Sequence, residues 1–169
     1  YTPWNKLFEA KYIKENNLKF PQTFWDDFPF NLSIVRKIER VVVTSRQYYH
    51  FIRKRAESET AAYRPNMYEK REEEHDWMVE LYKEWNVHNP ESREMISRRY
   101  IERFIGCVEN LTNPRCDLTY IQKRQEVKKM LSKKRVGQTL AIANPRSSYM
   151  KLMLIPIRMK NVTLTLLEA

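Results

Sequence analysis

The sequence predicts a mostly α-helical chain, an extended multi-helix subunit with irregular N- and C-terminal extensions. Three observations carry that expectation. Apolar residues recur at steps of three and four over most of the length. A capping residue is followed by proline at Thr2-Pro3, Asn89-Pro90 and Asn113-Pro114, the grammar of a helix start. The 169 residues hold only 2 glycines, where average usage of about 7% would give about 12, so tight primed hairpins have almost nowhere to form. Three parts are expected: an N-terminal helix with an aromatic extended segment over 1–32, a helical core over 33–137, and an extended C-terminal tail over 138–169.

Thr2-Pro3 opens a helix with Trp4, Leu7, Phe8 and Tyr12 at helical spacing, running to Asn16 and Asn17. Phe20, Phe24, Trp25, Phe28 and Phe30 then share a short stretch with Pro21 and Pro29. It reads as an extended segment that buries its rings against something else. Ser33 to about Ala56 is the clearest amphipathic helix, with Ile34, Ile38, Val41, Ser45, Tyr48 and Ile52 on one stripe and Val35, Val42 and Tyr49 beside it.

A loop near Ala61–Pro65 leads to a helix from about Met67 to Trp85, with Met78, Val79, Leu81, Tyr82 and Trp85 inward and Glu72–Glu74 solvated. Asn89-Pro90 opens the next, carrying Met95, Ile96, Tyr100, Ile101, Phe104 and Ile105. Asn113-Pro114 opens another, carrying Tyr120, Ile121, Val127, Met130 and Leu131 and closing on Lys133, Lys134, Arg135 and a C-cap at Gly137. A short link between these two predicts an antiparallel helical hairpin. Tyr149–Leu167 is apolar without a clean period and is expected to be extended.

Chemistry is narrowed by what the chain lacks. Gly106 and Gly137 alone cannot build a dinucleotide fingerprint, a Walker A loop, a nucleophile elbow or an EF-hand. The longest apolar run, Leu152–Ile157, is far short of the roughly 20 residues a bilayer needs. The chain opens on Tyr1, so nothing is drawn about a leader. His50, His75 and His88 have no His or Cys at ligand spacing, so neither metal nor cofactor is expected, and His75 reads as a surface or capping residue. Asp26-Asp27 and Glu72–Glu74 are carboxylates without a matching nucleophile or base.

The net charge is +10, and Lys123, Arg124, Lys128, Lys129, Lys133, Lys134 and Arg135 concentrate it. Such a stripe suits a phosphate backbone, an anionic lipid surface, an acidic neighbour or plain solvent. The sequons at Asn31, Asn110 and Asn161 would matter only in a secreted protein.

Cys107 and Cys116 are the only cysteines. Their spacing leaves two readings open. One is a disulfide across the mouth of the hairpin, worth about 2–3 kcal/mol and implying an oxidising compartment. The other is two independent buried thiols acting as small apolar side chains.

Arg46, Gln47, Tyr48, Tyr49 and His50, with Arg53 and Arg55, are followed by Met67-Tyr68-Glu69 and Trp77. Met95, Ile96, Arg99, Phe104 and Cys107 come next, then Cys116 and the basic stretch to Arg135. In this order they resemble the PDSW (beta-subcomplex subunit 10) family of accessory subunits of mitochondrial respiratory complex I. The family carries an earlier cysteine pair near its Met-Tyr-Glu, where this chain has Asn66. The resemblance implies a non-catalytic subunit without cofactor, peripheral to the inner membrane on its intermembrane-space side, stapled by disulfide and in contact with other subunits of the respiratory assembly. Phe20, Phe24, Trp25, Phe28 and Phe30 would then anchor it in grooves of those neighbours. The alternative is an RNA-binding structural protein of the mitochondrial ribosome, with Lys123–Arg135 tracking phosphates; nucleic acid enters only there.

Overall fold

Asn89 stands before Pro90, and its side chain accepts the Ser92 amide at 2.8 Å, which starts helix α4 (Pro90–Thr112). In a computed structural model, which describes residues 2–23, 25–50 and 62–169, this is the longest helix and the axis of the fold. Before it come a 3₁₀ turn (Pro3–Asn5), α1 (Ala10–Glu15), α2 (Asp27–Val35) and α3 (Met67–Glu84). After it come α5 (Tyr120–Leu131), α6 (Lys134–Ile142), α7 (Ser148–Arg158) and α8 (Val162–Leu167). No strand occurs among the described residues, so the mostly helical expectation holds.

Helix α4 packs mainly against α3 and α6, α2 against α3, and α8 against α5, α7 and α4. The core joins Ile101, Phe104 and Val108 of α4 to Val127 and Met130 of α5, Val136 of α6 and Met153, Leu154 and Ile157 of α7. Each such side chain contributes roughly 1.5–3 kcal/mol when fully buried. The region expected to be an extended tail therefore supplies part of the core. Met150, Met153, Leu154 and Ile157 fall at helical steps and are all buried, with Pro156 inside the same helix. Helices α2 and α6 also run across both expected part boundaries, near residues 32 and 137.

The helix expected over Ser33–Ala56 stops at Val35. Residues 38–50 hold no helix, strand, turn or bend, and residues 51–61 lie outside the described part. Val41, Val42, Val43 and Thr44 are four β-branched residues in a row, and each loses χ1 freedom against a preceding helical turn. The stripe of apolar residues was real, but local propensity opposed it. The helix expected from Thr2 is likewise broken into Pro3–Asn5 and Ala10–Glu15.

The aromatic stretch departs from its reading in the other direction. Asp27–Val35 is helical, because Pro29 sits in the first turn, where a missing N–H costs no intrahelical bond.

The stapled hairpin is not formed. Helix α4 continues past Cys107 to Thr112 and buries that thiol among its core residues, while Cys116 lies in the following link, and both are free. The chain reaches α5 through a capping box, Thr119 with Gln122, and not from Asn113-Pro114. It is α6 that lies along α4. Gly137 is an exposed interior residue of α6 and caps nothing.

With so few glycines, other residues take the left-handed positions. Asn17, Asn86 and Lys160 have φ of 49°, 53° and 52° just beyond α1, α3 and α7. Each closes its helix with a paired Schellman pattern, as in Val87 N–H to Tyr82 O at 2.9 Å and Asn86 N–H to Lys83 O at 3.0 Å.

Candidate functional site

Helix α3 places Glu72, His75 and Asp76 four, seven and eight residues after Tyr68, so a polar stripe faces α4 and α6. The Tyr100 hydroxyl of α4 donates to Glu72, and the Tyr68 and Tyr100 oxygens lie 3.2 Å apart. From α6, Arg135 donates to Glu72 at 2.5 Å and to Asp76 at 2.6 Å. The His75 ring sits 4.7 Å from that of Tyr100 at 64°, and its Nδ1 is buried without a hydrogen-bond partner. One network thus ties three helices together.

Its protonation states are fixed by burial. Desolvation lowers the His75 pKa to about 4, the positive Arg135 adds to this, and Glu72 and Asp76 oppose it. Burial, then hydrogen bonding to Glu72 and Tyr68, pushes the Tyr100 phenol far up, and burial raises Tyr68 as well. Cys107 is pushed up to about 12 by burial, with Arg71 pulling the other way. At neutral pH the imidazole is neutral but a weak base, while the two phenols and the thiol keep their protons. No cluster of three or more His, Cys, Asp or Glu able to hold a metal occurs among the described residues.

The carboxylates expected to be solvated include Glu74, which is buried and receives Arg71 Nη1 at 2.8 and 2.7 Å on its two oxygens. His75, expected on the surface, is buried too. The signal was present in the sequence, since both share the face of Met78 and Leu81.

The aromatic residues proposed as anchors mostly serve this chain's own packing. Phe28 and Phe30 are buried. Phe30 stacks on Phe20 with centroids 3.7 Å apart and meets Phe8 edge-on at 5.9 Å. Phe28 lies 6.4 Å from Trp77, and the Arg71 guanidinium rests 3.6 Å above the Trp25 ring. Phe20 alone of the described set keeps a large exposed fraction, 46%. Phe24 lies outside the described residues.

The basic stretch is split. Lys129 pairs with Glu69 at 3.1 Å and Arg135 is held as above, while Arg124, Lys128, Lys133 and Lys134 are exposed. Two open clefts of about 680 and 310 Å³ flank α4. Glu94, Arg98 and Arg146 line the larger, and Arg64, Arg71 and Arg103 the smaller.

The strip 38–49 is uncovered and rich in apolar side chains: Val41, Val42 and Val43 are 65%, 85% and 89% exposed, and Ile38, Tyr48 and Tyr49 are exposed as well. No helix among the described residues is long and apolar enough to cross a membrane. Comparison with protein-family models, curated proteins and solved structures finds no match to this chain.

Proposed function

We propose that the chain is a non-catalytic structural subunit of a larger assembly, and that the assembly is mitochondrial NADH:ubiquinone oxidoreductase, met at its membrane arm from the intermembrane-space side. The observation that carries the docking role is the uncovered strip 38–49. Apolar surface of this kind gains about 25 cal/mol per Å² when covered, a gain the isolated chain forgoes. The protonated phenols and thiol, with a buried imidazole of low basicity, support a scaffold over an enzyme. The choice of assembly comes from the resemblance over Arg46–Arg135. With Cys107 and Cys116 unbridged, the intermembrane-space address rests on that resemblance alone.

A second reading, an RNA-binding protein of the mitochondrial ribosome, is favoured by the exposed Arg124, Lys128, Lys133 and Lys134 and by thiols suited to a reducing space. The two separate in one experiment. Tagged full-length chain is followed through a gradient of detergent-solubilised mitochondria. Comigration with NADH dehydrogenase activity supports the proposal. Comigration with ribosomal RNA, released steeply by salt, overturns it in favour of the second reading.

A further inference from the structure

Residues Glu39–Tyr49 run without turn or bend, and among the described residues they make no backbone-to-backbone hydrogen bond. Within the segment the Arg46 amide donates to Thr44 Oγ1 at 3.2 Å. Both ends are fastened. The Arg36 guanidinium pairs with Glu84 at 3.2 Å, the Arg36 carbonyl accepts from Trp85 Nε1 at 3.3 Å, and the Tyr49 ring stacks on Trp4 at 5.1 Å. Between these anchors lie Val41, Val42, Val43 and Thr44, side chains that fit a pleated sheet.

We propose that Glu39–Tyr49 is an unpaired β-strand, completed by the exposed sheet edge of a partner protein whose flanking side chains are acidic. This rests on the docking role above and names its chemistry. A bare strand presents a row of unused N–H and C=O groups, and strand addition satisfies them while covering the valines. Fastened ends lower the ordering cost of pairing. Lys37, Arg40 and Arg46 against Glu39 set the sign of the partner, Arg36 being matched by Glu84.

Two other occupants fit less well. A second copy would bring the same cations face to face. An anionic membrane would bury the valines but leave the backbone groups unpaired in hydrocarbon.

The test uses the full chain with blocked peptides of alternating glutamate and valine, and of lysine and valine, read by fluorescence anisotropy and isotope-edited infrared. Variants are Val42→Pro and Val43→Pro. Successive amides point to opposite edges, so one of the two must remove a donor from the paired edge. The glutamate peptide is expected to bind at least about tenfold tighter than the lysine peptide, with a new strand band. One proline variant is expected to lose about tenfold or more while its helical circular dichroism stays unchanged. Equal binding by both variants overturns the proposal. So does binding to phosphatidylserine vesicles without peptide binding, or a dimer in sedimentation that proline dissolves. If both variants still comigrate with the respiratory particle, strand pairing falls and docking stands. If peptide pairing behaves as expected but the chain never comigrates, the assembly assignment falls and the strand stands.

Discussion

Tyr100 on α4 donates its one hydroxyl hydrogen to Glu72 on α3, which leaves Tyr68 as the donor in the 3.2 Å contact between the two phenols. The two tyrosines therefore act as a relay, and their truncations should be coupled. Tyr100→Phe strands the buried Tyr68 hydroxyl and is expected to cost about 1–3 kcal/mol. Adding Tyr68→Phe to it should cost less than Tyr68→Phe alone, because the orphaned group is then gone. Urea unfolding of the four proteins measures this; strictly additive costs would refute the relay.

The same network predicts acid sensitivity. His75 faces the Tyr100 ring from α4, Arg135 from α6, and Glu72 and Asp76 on its own helix, and its folded pKa is about 4. Unfolded, a histidine titrates near about 6.5. Between those values the unfolded chain binds a proton that the native state excludes. The contribution is therefore complete above about pH 6.5 and declines as pH falls toward about 4, by about 3 kcal/mol. His75→Phe should flatten that part of the pH dependence, compared by urea midpoints across the range. An unchanged slope would remove His75 as the cause.

The thiols give a chemical readout. Denatured without reductant, both Cys107 and Cys116 should react with iodoacetamide. In the native protein Cys116 should react first, since it is only half-buried in the link after α4, whereas Cys107 is buried with its pKa pushed up to about 12. Protection of both until reductant is added would restore the disulfide.

Part of this was legible from residue order, and the reasons for the rest are local. Asn89-Pro90 marked the start of α4 because a cap needs only neighbours in sequence. The Thr119–Gln122 capping box is written as plainly in the sequence, but Asn113-Pro114 offers a competing start six residues earlier. Over Ser33–Ala56, periodicity and β-branching pointed to different structures, and only packing could arbitrate. Glu72–Glu74 read as a solvated run and His75 as a surface residue because the partners of this stripe, Tyr100 and Arg135, lie 28 and 63 residues beyond Glu72. Met150 to Ile157 kept a helical period that Pro156 concealed.

Lys160 gives a backbone test of how this glycine-poor chain closes its helices. Its φ of 52° lies in the left-handed region, where a residue with a Cβ is disfavoured by roughly 1–2 kcal/mol. Its position is held by the closing bonds Asn161 N–H to Pro156 O at 2.9 Å and Lys160 N–H to Ile157 O at 3.0 Å. Lys160→Gly keeps both bonds and removes the strain, so a net gain of about 1 kcal/mol is expected after the added unfolded-state entropy. Gly137 supplies the converse. A Cβ there meets nothing within 4 Å and the residue is exposed inside α6, so Gly137→Ala should gain about 0.5–1 kcal/mol. A gain of about 1 kcal/mol corresponds to a rise of roughly 2–4 °C in Tm for a chain of this size, and half that gain to half the rise, read by circular dichroism. A fall with Lys160→Gly would mean that the lysine side chain, and not the backbone turn, holds the end of α7. A fall with Gly137→Ala would mean that α6 needs that position bare for a neighbour to approach.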